Sequence, residues 1–433
     1  MIGEEVTMPA SSPERPFRIL LSAFAFDPGG TSESALGWRI ASGLAARGHD
    51  VTVIFGHLRP GPRDPDNLQT VDIRCREAGL LRAVHIEGDH IAKLMVRLSG
   101  NPGLWWLFYR GYRRWQRQAL RIARELHAAQ PFDLTHHLNF IGFREPGEIW
   151  KLGLPHFWGP VSGSPMVPWA FLVTFSPGQF YRWGGRNLGN WWQIRTSRIC
   201  RAAALASSRI WAVSASDMEV VEKHWKVKAS PLLETGAHIA PGSRVRFRHT
   251  GEALRIIWSG RFDPIKVLPV VFAALEQVGD RPWELHILGD GPEKSRWRRA
   301  EASHRLSGKV IWHGMLPLAE ALKVMDQGHV FLHSSVKEGT PHVVLEALAM
   351  GLPVICHDAC GMGVAVDERC GIKVPLRDPL TSSNGFSRAI GRFLDDESLV
   401  SRLSEGAIRR ASELSWDSKI DAFLQAYGKI PHG

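Results

Sequence analysis

The sequence predicts an α/β protein made of two doubly wound domains. Three observations lead to this fold class. From residue 254 onward short apolar runs alternate strictly with helix-like segments, and such alternation requires right-handed crossovers and a parallel sheet covered on both faces. The first half repeats the alternation less regularly. The length of 433 residues, 44% of them hydrophobic, is sufficient for the cores of two or three domains.

The apolar runs predict the individual strands. In the first half they are FRILLSAF, VTVIFG, DLTHHLN, LPHFWGPV and RIWAVSAS, and in the second half LRIIWSGRF, WELHILGDG, VIWHG, HVFLHSS and PVICHD. The polar stretch PGSRVRFRHTGEA predicts the domain boundary, with a loose tail over 1–16, a first domain over 17–245 and a second domain over 246–413. Ligands of such sheets lie beyond the carboxyl ends of the strands, so we expect the two domains to face each other across a cleft.

The composition indicates where the protein is expected to function and what kind of partner it is expected to bind. No apolar run is long enough to span a bilayer, and the five scattered cysteines are typical of reduced thiols in a cytoplasmic protein. The 53 Lys and Arg against 43 Asp and Glu give a net charge of +10, which favours an anionic partner. Nucleic acid, an anionic membrane surface and phosphorylated small molecules all satisfy that charge.

The segment after Thr340 predicts a buried helix that carries two polar residues. Thr340 is expected to cap it, Pro341 to occupy its first position and Gly351 to end it. His342 and Glu346 are four positions apart and therefore share one face of an otherwise apolar helix. Because a buried carboxylate needs a partner, Glu346 is interpreted as a ligand of ribose hydroxyls. The alternative is a surface helix with Glu346 in solvent.

Two cations are predicted at the edge of the same sheet. Arg261 follows an apolar strand, and Lys266 comes five residues later. A guanidinium fork and a point charge together suit a diphosphate. Such a pair would make a divalent metal ion unnecessary.

These motifs resemble those of the retaining glycosyltransferases of family 4, which have the GT-B fold of two Rossmann-like domains. SGRFDPIK is similar to the family's G-R-x4-K phosphate clamp, Glu338 to Glu346 match its E-x7-E motif, and ILGDGPE and IWHG follow its pattern. The resemblance implies that Arg261 and Lys266 hold the donor diphosphate, that Glu346 binds the ribose and that Glu338 contacts the donor sugar. EGTP departs from the commoner EGFG, because Pro341 has no N–H, and His342 is expected to compensate. By the same resemblance, residues 414–433 form a helix that returns to the first domain.

The first half contains two further matches. Gly29 and Gly30 precede a predicted helix, as in the family's first loop, so Gly30 is expected to approach the donor closely. DLTHHLN resembles the stretch with the family's active-site histidine, which falls on His136 at a predicted strand end. His137 would lie on the opposite face of the strand. A structural role for both histidines is the alternative.

No metal ion or cofactor is expected, and the nucleotide diphosphate sugar acts as co-substrate. The chain contains one D-x-D triplet, Asp64-Pro65-Asp66, but it lies in the proline-rich HLRPGPRDPDN and is interpreted as a turn.

The segment 104–126 bears on partners. Trp105, Phe108, Tyr112 and Trp115 follow helical spacing, and five arginines form a second stripe. Such a helix suits an anionic membrane surface, on the inner face of the membrane for a cytoplasmic protein. The alternative is an aromatic stripe packed in the core beneath solvated arginines. No nucleic-acid module accompanies the charge.

The resulting hypothesis is a retaining, metal-independent glycosyltransferase that moves a sugar to an acceptor hydroxyl, such as a sugar or a lipid-linked sugar, in the synthesis of a cell-surface polysaccharide or glycolipid. Two alternatives stay open. One is a nucleotide-sugar epimerase on the same fold, and the other is a noncatalytic nucleotide-sugar-binding or membrane-scaffolding protein.

Overall fold

A computed structural model describes residues 15–30, 33–58, 65–101, 103–239, 243–306 and 309–430. The strands are β1 Arg18–Ala23, β2 Asp50–His57, β3 Leu81–Glu87, β4 Leu134–Asn139, β5 His156–Val161, β6 Ser207–Ala212, β7 Ala229–Pro231, β8 Leu254–Ser259, β9 Trp283–Leu288, β10 Val310–Gly314, β11 Val330–His333, β12 Val354–His357 and β13 Gly371–Val374.

The α-helices cover the faces of the sheets. They are α1 Glu33–Ala46, α2 Pro65–Glu77, α3 His90–Leu98, α4 Trp106–Ala129, α5 Trp169–Leu172, α6 Pro177–Thr196, α7 Arg198–Leu205, α8 Ala215–Val220, α9 Leu268–Val278, α10 Lys294–Ser303, α11 Leu318–Asp326, α12 His342–Ala349, α13 Cys360–Ala365, α14 Pro379–Asp395, α15 Ser398–Glu413 and α16 Trp416–Tyr427. Within the described residues, none of these helices is long and apolar enough to cross a bilayer.

Both sheets have the doubly wound strand order. The first runs β3-β2-β1-β4-β5-β6-β7 and the second β10-β9-β8-β11-β12-β13. Neighbouring strands pair in parallel, for example Ile19 with Val51 and Ile257 with His286. In each sheet the strand order reverses beside the first strand, between β1 and β4 and between β8 and β11. A ligand crevice is expected at such a reversal, outside the carboxyl ends of the strands.

The contacts of the chain divide it into two compact units. Unit 1 contains the described residues of 1–160, 198–211 and 416–433, and unit 2 those of 161–197 and 212–415. The boundary near residue 246 stays a prediction about domains. By contacts, residues 161–197 and the described residues of 212–245 fall in unit 2, and α16 falls in unit 1.

Alternating side chains along the central strand of unit 2 divide between two cores. Ile256 and Trp258 of β8 pack in one cluster, with α9 and α14, while Ile257 packs in the other, with Leu345 and Leu348 of α12. A strand with period two and a helix on each face produces this pattern. The continuous apolar runs of the sequence follow from burial on both faces.

Helix α4 decides between the two interpretations of the 104–126 segment. Tyr112, Trp115 and Ala119 are fully buried against β1 and β2 residues in the core of unit 1. Arg114 and Arg113 bond Asp89 and Glu145. The predicted aromatic membrane face is therefore wrong for most of the helix, because its rings fill the core, although Trp105 and Trp106 at its start stay exposed.

Three local predictions need correction. Thr340 does not cap α12, because its hydroxyl accepts a hydrogen bond from the Glu234 N–H, and the helix begins at His342 after Pro341. Of the D-x-D triplet, Asp64 lies outside the described residues and Asp66 lies at the start of α2 rather than in a turn. Strands β3, β7 and β13 had no assignment in the sequence analysis. β3 was missed because only its first residue is fully buried, so that the strand lacks a continuous apolar run.

Candidate functional site

Four of the predicted site residues follow the two strands that flank the strand-order reversal of the second sheet. Arg261 and Lys266 follow β8, and Glu338 and Glu346 follow β11, its neighbour. The reversal leaves a crevice between the connections that leave these two strands, so residues distant in sequence come together. Lys266 and Glu338 form a direct ion pair.

Two glycines shape the loop after β9, the strand on the other side of β8 from β11. Gly289 and Gly291 follow β9 with φ of 125° and 158°, and a Cβ on Gly289 would lie 2.1 Å from the Gly260 carbonyl oxygen. The loop after β9 can therefore pack directly on the loop after β8, and the Phe262 N–H donates to the Asp290 carbonyl. Both glycines belong to the motif ILGDGPE that the sequence analysis identified.

A cavity of about 630 Å³ opens at these loops. Its size is in the range of small-molecule pockets. The lining residues are Ser259, Gly260, Arg261, Leu288, Gly289, Asp290, Gly291, Met315, Leu316 and Ala321. The Lys266 ammonium stands beside this lining, since a Cβ on Gly260 would lie 3.7 Å from Lys266 Nζ.

Glu338 is held in its charged form by two basic neighbours. It pairs with Lys266, and His333 Nε2 lies 2.5 Å from Glu338 Oε2. Because a carboxylate only accepts, His333 donates from Nε2. Burial alone would raise the pKa of Glu338, but His333 and Lys266 together lower it to about 2. Glu338 is therefore a fixed anion at the carboxyl end of β11.

Glu346 has the opposite environment. It is half-buried on α12, and none of the described residues offers its carboxylate a hydrogen bond or an ion pair. Burial raises its pKa as a result. That Glu346 binds the hydroxyls of a ribose stays a prediction. A half-buried carboxylate without a partner among the described residues is consistent with it. His342, one turn earlier, is exposed.

The two predicted cations are not equivalent. Lys266 is buried in the turn Pro264–Lys266, while the Arg261 side chain is 72% exposed and lies 3.4 Å from Asp263. Lys266 is thus fixed by Glu338, and Arg261 can move to a ligand. The sequence predicted that both lie near one strand end, and the structure shows how much their exposure differs.

In unit 1, Gly30 lies in the turn that follows β1. Its N–H donates to the Asp27 carbonyl at 3.2 Å, and a Cβ there would lie 2.1 Å from Ser34 Oγ. A glycine is therefore required by close packing on α1. Glu33 begins that helix as a largely buried carboxyl, and burial raises its pKa although the Ile141 N–H donates to it at 3.4 Å.

His136 is a core residue in the middle of β4 rather than an open residue at a strand end. Its Nε2 donates to the Gly159 carbonyl at 2.9 Å, so Nδ1 accepts from the Tyr427 hydroxyl at 2.5 Å. Rings of Phe157, Trp211 and Phe423 surround it. Burial lowers the pKa of His136 to about 3. With both nitrogens bonded inside unit 1, the structural alternative fits this side chain better than a catalytic role.

His137 lies on the other face of β4, as the period of two predicts. It is also buried, with Nδ1 3.3 Å from Ser22 Oγ. Burial lowers the pKa of His137 to about 4. Both histidines are therefore neutral at physiological pH.

Two residues of the site had no assignment in the sequence analysis. His333 positions Glu338, and Glu234 holds the following loop, because the Thr340 N–H donates to Glu234 Oε1 at 3.0 Å. His333 could have been identified from the sequence, because it is a polar residue at the end of the apolar run HVFLH. Glu234 could not have been identified in this way, because its partner Thr340 is more than a hundred residues away in the sequence.

Comparison with known proteins agrees with this geometry. Residues 253–396 match the family described as Glycosyl transferases group 1. D-inositol 3-phosphate glycosyltransferase of Streptomyces bingchenggensis is 27% identical over 204 residues, which are 44% of this chain and 44% of that protein. The chain thus aligns with less than half the length of this relative.

Solved structures extend the likeness to the whole fold. HepE of Anabaena, in complex with UDP and glucose, has a TM-score of 0.54 at 14% identity over 96% of this chain and all of its own. WaaG, a glycosyltransferase involved in lipopolysaccharide biosynthesis, has a TM-score of 0.54 at 15% identity, over 95% of this chain and all of its own. At such identity the likeness concerns the fold, which is GT-B. Residues 253–396 therefore form a domain of the Glycosyl transferases group 1 family, in a chain that has the GT-B fold.

Proposed function

We propose that the protein transfers a sugar from a nucleotide diphosphate sugar to an acceptor hydroxyl, with retention of the anomeric configuration and without a metal ion. The observation that carries this proposal is Glu346, a half-buried carboxylate whose pKa is raised by burial and for which the described residues provide no partner. A vicinal diol would satisfy it with two hydroxyl donors. The binding of UDP and glucose by HepE supports the same ligand class.

Arg261 and Lys266 supply the electrostatic part of the proposal. When the diphosphate leaves, negative charge accumulates on its oxygens, and fixed cations beside them stabilise the transition state. Lys266 keeps donor capacity beyond its bond to Glu338, since an ammonium has three donors. Exposed Arg261 can close on the phosphates, and these two cations fill the role of a metal ion.

Glu338 is proposed to contact the donor sugar. Its low pKa makes it an acceptor for sugar hydroxyls at every physiological pH. In a retaining transfer the acceptor attacks from the face that the diphosphate leaves, so the sugar carries positive charge in the transition state. A permanent carboxylate at that position would stabilise this charge as well as orient the ring.

The donor is tested first by binding. Thermal unfolding with UDP, GDP, ADP and their sugar conjugates should reveal one nucleotide that raises the melting temperature, because a ligand of the native state adds about 2.7 kcal/mol of stability at a hundred times its Kd. Glu346→Gln should weaken that nucleotide about tenfold to more than a hundredfold. Glu405→Gln, at an exposed position on α15, is the matched control. Equal affinity in both variants would overturn the site.

The reaction is tested next by its product. NMR of the purified product should show the anomeric configuration of the donor, and EDTA should leave turnover intact. Inversion, or a strict need for Mn²⁺ or Mg²⁺, would contradict the proposed mechanism. WaaG's involvement in lipopolysaccharide biosynthesis supports acceptors from cell-surface polysaccharide or glycolipid synthesis, so lipid-linked and soluble sugar acceptors are compared.

A further inference from the structure

Residues 149–216 contain no acidic residue at all. Seven basic residues lie in the same stretch: Lys151, Arg182, Arg186, Arg195, Arg198, Arg201 and Arg209. In a chain where charged residues are 22% of the total, such a length without Asp or Glu is unusual. Its middle part, 161–197, belongs to unit 2 and contains α5 and α6.

Buried asparagines determine which side of α6 faces inward. The Val167 N–H donates to Asn187 Oδ1 at 3.1 Å, and Asn187 Nδ2 donates to the Val167 carbonyl at 2.7 Å. Asn190 Nδ2 donates to the Gly163 carbonyl at 3.0 Å, and Ile194 is buried one turn later. Because two buried amides must keep these bonds, α6 cannot rotate about its axis without losing them.

The outward side of α6 is rich in large apolar side chains. Tyr181, Leu188 and Trp192 are 76%, 60% and 61% exposed, and their spacing of seven and four places them on one stripe. Trp191 borders the stripe, and Trp169 of α5 packs over Gly184, with its ring 3.5 Å from the position of a Cβ there. We name as the α6 face the residues Trp169, Tyr181, Arg182, Arg186, Leu188, Trp191, Trp192 and Arg195.

The arginines of the α6 face lie among the rings and along their border. Arg195 stacks over Trp191 with its guanidinium carbon 4.5 Å from the ring centroid, and Arg186 stacks over Trp183 at 5.4 Å. Stacking on a ring holds each guanidinium at the edge of the apolar stripe. A ligand of this face therefore meets rings in the middle and positive charge around them.

We propose that the α6 face docks on the surface of an anionic lipid bilayer, with the helix lying in the plane of the interface. Trp and Tyr are the residues that favour the headgroup region, and arginines bind lipid phosphates at the same depth. No acidic side chain of 161–197 opposes an anionic surface. The exposed stripe of a helix is convex, which suits a deformable bilayer.

This surface differs from the one that the sequence indicated. The rings of α4 are buried in the core, whereas those of α6 are exposed because Gly184, Asn187, Asn190 and Ile194 occupy its inward side. The proposal does not rest on the transfer reaction, and its assay contains neither donor nor acceptor. A negative result for lipid binding therefore does not contradict the proposed transfer reaction, and the reverse also holds.

Vesicle cosedimentation of the full chain tests the proposal. Phosphatidylcholine vesicles with about a quarter phosphatidylglycerol should bind the protein, neutral vesicles should bind it much less, and salt should weaken binding. Trp191→Ser/Trp192→Ser should lower partitioning about tenfold or more. Arg182→Glu/Arg186→Glu should lower it by more than about twentyfold, since each arginine contributes about fivefold and reversal adds repulsion. The matched control Trp105→Ser/Trp106→Ser, at the exposed start of α4, should bind normally.

Four outcomes would overturn the proposal. They are no binding by the wild type, equal binding to neutral vesicles at all salt concentrations, loss of binding in the α4 control alone, and self-association that the Trp191→Ser/Trp192→Ser variant abolishes in place of lipid binding. The last result would identify the α6 face as an interface between two copies of the chain. Thermal unfolding of each variant confirms that it is folded before the vesicles are added.

Discussion

Glu338 and Glu346 are eight positions apart and have opposite electrostatic surroundings. Glu338 lies in a loop between Lys266 and His333, which lower its pKa to about 2. Glu346 lies on a helix whose neighbours are apolar, and burial raises its pKa. One carboxylate is therefore satisfied inside the protein, and none of the described residues bonds the other.

His136 was predicted to be catalytic, and in the structure both of its ring nitrogens are bonded inside unit 1. We expect His136→Ala to reduce the free energy of unfolding by about 2 to 4 kcal/mol, because it removes two buried hydrogen bonds and leaves a cavity among aromatic rings. Urea denaturation measures the loss. Nucleotide affinity, measured where the variant is still folded, should not change.

Tyr427→Phe is the control for His136. It removes only the hydroxyl that bonds Nδ1 and should cost about 1 to 3 kcal/mol. If His136→Ala kept normal stability while turnover fell about a hundredfold, the catalytic role predicted from the sequence would be correct after all.

At the scale of elements, the loops after β8 and β9 depend on a glycine. Gly289→Ala would place a Cβ 2.1 Å from the Gly260 carbonyl oxygen at a φ of 125°. We expect the two loops to separate, at a cost of about 1 to 3 kcal/mol in stability and with weaker nucleotide binding. Calorimetric titration with the nucleotide found in the donor panel measures the affinity.

The variant Gly279→Ala is the control that distinguishes backbone strain at positive φ from the steric clash of an added Cβ. Gly279 also has positive φ, at 72°, but no atom lies within 4 Å of the position of its Cβ. This variant should lose about 1 to 2 kcal/mol and bind nucleotide normally. Unchanged affinity in Gly289→Ala as well would show that the loop contact does not shape the site.

At the scale of the whole molecule, buried histidines determine the response to acid. Burial lowers the pKa of His136 to about 3 and the pKa values of His137 and His357 to about 4. Since these lie below the unfolded value of 6.5, the histidines contribute stability above pH 6.5, which is lost as pH falls towards 4. The contribution of Glu338 is lost later, from about pH 4.5 towards 2.

We therefore expect each of the three histidines to cost about 1 kcal/mol of stability between pH 6.5 and 5.5. Urea denaturation at pH 7.5, 6.5 and 5.5 measures the free energy of unfolding, with circular dichroism as the signal. A free energy that stays constant over this range would mean that the histidines can be charged in the native state.

The sequence by itself determined the fold class and the sheet edge at which the predicted site residues lie. Strand and helix signals are local, because burial on both faces makes a strand largely apolar, and β1, β2, β8 and β11 all carried that signal. Arg261, Lys266 and Glu338 could be placed together because strand ends in a parallel sheet share one edge.

Only the tertiary structure decided which polar groups are satisfied and which faces are exposed. His136 could not be recognised as a core residue, because its partner Tyr427 lies almost three hundred positions away. Amphipathic spacing describes α4 and α6 alike, but the rings of α4 are buried in the core and those of α6 are exposed. Periodicity shows that a helix has two faces, and what packs against each of them depends on contacts distant in sequence.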